Sequence, residues 1–248
     1  MEPVFRMLEI AGRTAVRATG TRITYQGLEH IPASGGAVVA INHTGYIDFL
    51  PAALAATYRK RRMRFMIKAE MKDVKIVDFL IEHSKTIPVD RRAGADAYGV
   101  AVERLREGEI VGVYPEATIS RSFELKEFKS GAIRMAQAAQ VPIVPLIVWG
   151  AQRVWTKDHP NNLGRRKLPI TVAVGPQFEP PESVPAAMAQ LRETMTALLH
   201  QVQEEYPHPT GEYWVPRRLG GSAPTLEEAS VIEEAELSER ARRRAEPS

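Results

Sequence analysis

Cysteine is absent from the 248 residues, which excludes disulfides, thiol nucleophiles and thiolate metal sites and fits a reducing compartment. No apolar run approaches the roughly 18 residues needed to span a bilayer, and the first residues lack the cationic start, apolar centre and small-residue exit of a secretory signal. The chain is therefore expected to stay on the side of the membrane where it is made. The six histidines, at 30, 43, 83, 159, 200 and 208, form no His-x3-His or His-Glu-x-x-His pair, so no metal site is expected. Nucleic acid is not expected as a partner either, because stacking aromatics do not interleave with the basic residues and no reading motif occurs. There is no internal repeat, and nothing sets an oligomeric state.

What is present is the composition of a soluble globular chain, 44% apolar and 25% charged, long enough to bury one sizeable core. The net charge is +3 and the pI about 9.1, with the excess unevenly placed. Between Arg59 and Lys75 eight basic residues face two acidic ones. A solvated face is the plain reading of such a run; an anionic membrane surface is the functional one.

Short apolar runs alternate with stretches of helical period. Strands are expected at 22–27, 36–41, 65–67, 86–89, 109–114, 141–149 and 170–174, and helices at 2–18, 48–58, in the region of 72–81, at 94–108, at 131–139 and from Pro185 to just before Pro207. This predicts an α/β fold: a single domain with a mixed, largely parallel central sheet flanked by helices. The helix within residues 1–20 is amphipathic, with Val4, Leu8, Ala11 and Ala15 on one stripe widened by Phe5 and Met7. It can pack that stripe on the domain or lie in a membrane interface. Residues 21–215 form the main domain. Residues 216–248 are a charged tail with few apolar anchors, expected to lie loosely and at most as one weak helix.

Polar groups gather where strands end, the place at which α/β sheets hold ligands. The first such turn is Asn42-His43-Thr44-Gly45-Tyr46-Ile47-Asp48. Two residues five apart within one helix lie about 140° apart around its axis and do not meet. With His43 still ahead of the helix and Asp48 in its first turn, the carboxylate can reach back to the imidazole and fix its tautomer, which is the arrangement of a tuned general base. A loop histidine bonded to Asp48 for structural reasons is the competing reading. The second turn holds Asp90-Arg91-Arg92, whose guanidinium forks suit a phosphate or pair with nearby aspartates. The third is Tyr114-Pro115-Glu116-Ala117-Thr118, where Glu116 can cap a helix, bind Lys and Arg, or accept from substrate hydroxyls.

In order and rough interval, Asn42-His43-x4-Asp48, Ile87-Pro88-Val89-Asp90-Arg91, Tyr114-Pro115-Glu116-Ala117-Thr118 and Val141-Pro142-Ile143-Val144-Pro145 resemble the four motifs of the glycerolipid acyltransferases. Within them the chain is similar to the bacterial 1-acylglycerol-3-phosphate acyltransferases, in an actinobacterial style, strongly over residues 36–150. The resemblance implies acyl transfer from a fatty acyl thioester, acyl-CoA or acyl carrier protein, to a hydroxyl of lysophosphatidate, with no cofactor. It implies His43 as base, Asp48 as its support, and Arg91, Glu116 and Thr118 as acceptor-binding residues, with Arg92, Lys68 and Asn42 beside them. The family's Phe-Pro-Glu-Gly-Thr-Arg-Ser is altered here: Tyr114 and Ala117 replace Phe and Gly, and Ile119-Ser120 precede Arg121, which reads as a displaced third-motif arginine. The alternatives are glycerol 3-phosphate or a glycolipid as acceptor, and a non-enzymatic membrane-binding module of the same fold. A greasy product further implies a peripheral position on the inner face of the cell membrane.

Overall fold

The structure, a computed structural model, describes residues 3–68, 86–89 and 94–245. The apolar runs become seven strands: β1 (Arg22–Gln26), β2 (Ala37–Ile41), β3 (Met63–Lys68), β4 (Ile87–Val89), β5 (Ile110–Val113), β6 (Ile143–Trp149) and β7 (Pro169–Val174). They form one sheet in the order β1-β7-β6-β2-β5-β3-β4. All pairings are parallel except β6 with β7, so the sheet is mixed and largely parallel as expected. The described helices are α1 (Pro3–Thr19), α2 (Phe49–Tyr58), α3 (Gly94–Arg106), α4 (Gly131–Ala139), α5 (Val184–Glu205) and α6 (Leu226–Ala245). None of these is long and apolar enough to cross a membrane. The helix expected in the region of 72–81 lies outside the described residues.

Strands β2, β5 and β6 are buried at every position, as strands covered on both faces must be. The period of two then divides their side chains between two layers. Val38, Ala40, Val111, Val113 and Ile147 join the core with residues of α3, α4 and α5. Ala37, Val39, Ile41, Val144, Leu146 and Val148 join Ala52, Ala55 and Ala56 of α2 on the other side. Pro145 is tolerated inside β6 because β7 pairing stops at Leu146 opposite Val174; past that point the Pro145 carbonyl accepts from the Gly175 amide at 2.9 Å. Between β5 and β6, β2 is the central strand, and the chain leaves it at the point where the strand order reverses.

Helix α1 docks on part of the expected stripe: Val4, Phe5 and Leu8 are covered while Met7, Ala11 and Ala15 are not. Phe5 is buried, Gly12 and Val16 are partly covered, and Ile10 also faces solvent. A side chain at Gly12 would strike Leu50, so the small residue sets how closely α1 crosses α2. Phe5 turns the helix by drawing Arg62 and Arg64 over its ring, at 5.3 and 5.2 Å.

Of the basic run from Arg59 to Lys75, Arg59, Arg61 and Arg64 bond to partners within the protein, Lys60 is exposed, and Lys72 and Lys75 lie outside the described residues. Arg59 donates to Ile31 O; Arg61 donates to the carbonyls of Pro32, Gly35 and Gly108 at 2.7–2.8 Å; the buried Arg64 pairs with Glu109 at 2.8 Å. The C-terminal segment also differs from expectation. Trp214, Val215, Ala223 and Ala229 are buried, and Gly221 lies where a Cβ would stand 1.9 Å from Val215 O. The tail is thereby anchored and its helix α6 lies against the domain, held by charge more than by apolar area. Arg61→Ala should lower the urea midpoint by the equivalent of about 1–3 kcal/mol, with only partial recovery in Arg61→Lys, which lacks the fork. An unchanged midpoint would show that the three carbonyls do not depend on it.

Candidate active site

Strand β2 hands the chain to a turn whose geometry Asp48 controls. Asp48 is fully buried at the start of α2, and its side chain does not bond its own helix. Instead Oδ2 accepts from the amides of Thr44 and Gly45, each at 2.8 Å, and from His43 Nδ1 at 3.2 Å. A carboxylate only accepts, so the ring proton sits on Nδ1 and the lone pair on Nε2. Gly45 is required for this wrap, since a Cβ there would lie 2.8 Å from Trp155 O and 3.3 Å from Asp48 Oδ1.

Three further contacts hold His43. Its amide donates to Glu116 Oε1 at 2.8 Å, its carbonyl accepts from Ser120 N at 2.8 Å, and its ring stacks on Tyr114 at 4.1 Å with 22° between planes. The side chain is 19% exposed, so one edge of a fixed ring meets solvent. Burial, with the Asp48 carboxylate adding to it, pushes the Tyr114 phenol well above its ordinary pKa. Phe65 stacks beyond Tyr114 and Phe49 meets Phe65 edge-on, so a row of rings runs from the imidazole to the surface, where Phe49 is exposed. Tyr46 and Trp155, in contact with each other, flank the same turn and are also exposed.

Several residues read as acceptor ligands have other partners. Asn42 is buried and closes the β2–β6 ladder, accepting from Val148 N at 2.7 Å and donating to Val148 O at 3.0 Å. Glu116 lies beneath the site: Oε1 takes the His43 amide and Oε2 the Lys126 amide at 3.0 Å. Thr118 Oγ1 accepts from Lys126 Nζ. Arg121 is nine-tenths buried between Asp158, at 2.5 Å, and Glu236 of α6, at 2.7 Å. Ala117 adopts φ 61°, the left-handed conformation that explains why the family pattern has Gly there. Lys68 ends β3 in register with Val89, one residue before the second turn. Arg91 and Arg92 lie outside the described residues. Among the described residues no group of His, Asp and Glu is large enough to hold a metal ion.

Tyr114, Ser120 and Lys126 escaped the sequence reading. Their partners lie too far along the chain for a spacing rule to find, although the Tyr-for-Phe change marked position 114. Burial pushes the Glu116 carboxyl up to about 7; the Lys126 and His43 amides and the Lys126 charge oppose the rise, and Asp48 adds to it. The folded chain then binds this proton more tightly than the unfolded one. The stability it contributes is full below about pH 4.5 and is lost as pH rises through about 7. Glu116→Gln mimics the protonated form, so the unfolding free energy of the native chain minus that of the variant should fall across this window. A pH-independent difference would contradict it.

The family described as Acyltransferase matches residues 22–149, from β1 to the end of β6. Relatives include the 1-acyl-sn-glycerol-3-phosphate acyltransferase of Bacillus subtilis, 32% identical over 123 residues, covering 49% of this chain and 60% of that protein. The alpha form from Bos taurus is 27% identical over 191 residues, covering 75% of this chain and 66% of that one. The chain thus spans 60–66% of the length of these relatives. In fold it is similar to the 1-acyl-sn-glycerophosphate (LPA) acyltransferase of Thermotoga maritima, with a TM-score of 0.69 at 21% identity over 83% of this chain and 82% of that one. With more than half of its residues inside the family match, the chain belongs to the acyltransferase family.

Proposed function

We propose that the protein transfers a fatty acyl group from an acyl thioester, carried by coenzyme A or acyl carrier protein, to the free hydroxyl of lysophosphatidate, giving phosphatidate. The observation that carries this reading is the fixed imidazole, with Nδ1 against a buried carboxylate and Nε2 left for a substrate proton. Nε2 takes the hydroxyl proton as the oxygen attacks the thioester carbonyl. Asp48 favours the imidazolium so formed, which returns the proton to the departing thiolate. No acyl-enzyme is needed, and a base of this kind is worth roughly 10²- to 10⁴-fold.

The names of the Bacillus and bovine relatives support this acceptor. The row from Tyr114 through Phe65 to Phe49 offers the acyl chain an apolar path to the imidazole. With α6 in place Arg121 is engaged by Asp158 and Glu236, and in that state the acceptor phosphate is left to Arg91, Arg92 and Lys68. The same engagement favours a second reading, in which the acceptor is glycerol 3-phosphate or a glycolipid. The exposed Met7 and Ile10 of α1, and Tyr46, Phe49 and Trp155, supply apolar side chains for contact with the inner surface of the cell membrane.

His43→Ala should bind liposomes normally and lose acyl transfer by at least about 10²-fold; unchanged transfer would reject His43 as the base. With a fixed acyl-CoA, label should enter lysophosphatidate in acceptor competition. Label in a glycolipid and in no glycerol phosphate would overturn the leading acceptor.

A further inference from the structure

We propose that α6 is an acidic gate acting in cis: Glu233 and Glu236 occupy the cations Arg121, Lys126 and Lys157 beside the third turn until a phosphate group displaces them. Lys126 Nζ contacts both oxygens of Glu233, at 2.6 and 2.7 Å, and Thr118 Oγ1 at 2.5 Å. Arg121 Nη2 meets Glu236 at 2.7 Å, and Lys157 stands 3.6 Å from the same carboxylate. These cations come from three places in one wall: the inserted turn, the segment after it and the loop beyond β6.

The cluster is wired to His43. Glu116 bonds the amides of both Lys126 and His43, and Ser120, next to Arg121, donates to the His43 carbonyl. Whatever anion sits on Arg121 and Lys126 therefore sits beside the catalytic turn. Two carboxylates of α6 sit there now.

The way α6 is held suits removal. Of its described side chains only Ala229 is buried, while Val231 and Leu237 are 67% and 63% exposed. Lifting it returns little apolar surface of its own to water, and the contacts it breaks include partly exposed ion pairs that salt and competing anions weaken. The cations also have unmet demand. Arg121 Nη1 is buried with no hydrogen-bond acceptor, and burial together with the neighbouring Arg121 charge lowers the Lys157 pKa. A phosphate, with several oxygens on one centre, meets that demand better than two separate carboxylates.

The identity of the phosphate, a monoester in solution or on a lipid headgroup, rests on the function proposed above; the movement of α6 does not. The test is hydrogen exchange of residues 226–245 in the full chain, at constant ionic strength, with chloride, inorganic phosphate, glycerol 3-phosphate, or phosphatidylcholine vesicles with and without phosphatidate. Exchange should quicken about threefold or more with a phosphate monoester over chloride, and be already fast in Glu233→Gln/Glu236→Gln. The same variant should lower KM for a phosphate-bearing acceptor about threefold or more with little change in kcat, because apparent affinity scales with the open fraction. Acceleration only by phosphatidate vesicles supports the gate and assigns the phosphate to a membrane surface. No acceleration in any arm, or a double variant matching the native chain in exchange and KM, overturns it. Phosphate-driven opening in a protein that transfers no acyl group would reject the reaction and keep the gate.

Discussion

Asp48 Oδ2 accepts three hydrogen bonds, from the amides of Thr44 and Gly45 and from the ring of His43, at a position closed to water. A buried carboxylate is costly unless it is hydrogen-bonded, so the turn wraps around Oδ2, while Oδ1 is buried without a partner. That wrap aims the imidazole. From below, Glu116 fastens the backbone of the same histidine, so two buried carboxylates fix one residue, by ring and by main chain. With Tyr114 against its face, the ring stays only partly exposed.

The sheet exists around this clamp. Because β2 lies between β5 and β6, the turns that follow β2 and β5 emerge side by side, and the loop after β6 closes over the first of them through Trp155 O and Thr156. Asn42 continues the β2–β6 ladder one residue beyond the strand and so sets the height at which His43 leaves it. His43 and Asp48 thus sit on a short turn tethered from two sides, which would leave the proposed base little reorganisation to undergo.

Sequence reasoning reached what short-range pattern can carry. Strand and helix order, the mixed sheet and the meeting of His43 with Asp48 follow from periodicity and from a spacing that only a strand-to-helix junction can close. Side-chain roles depending on distant partners were not legible. Asn42 and Glu116 look like ligands in a motif, yet Asn42 pairs both ways with the Val148 main chain and Glu116 accepts from two amides, partners that lie 106 and 10 or 73 positions away. Arg59 and Arg61, at the start of a basic run that looks like a surface, are drawn inward by loop carbonyls. The acidic tail looks loose because its counter-charges, Arg121 and Lys126, precede it by over a hundred residues.

Departures from the family pattern concentrate in the third turn. Ala117 keeps the backbone that glycine would take with less strain, and Ile119-Ser120 move the arginine to where Asp158 and α6 hold it. The His43 and Asp48 pair is untouched by these changes, so the proposed base and the proposed acceptor site vary independently. The pair is tested most directly by nitrogen NMR of the chain labelled only at its six histidines, with His43→Asn identifying the signal of interest. The neutral His43 ring should carry its proton on Nδ1 and show an unprotonated, solvent-facing Nε2, with the preference weakened in Asp48→Asn. A ring protonated on Nε2 in the native chain would contradict the clamp and, with it, the assignment of the base.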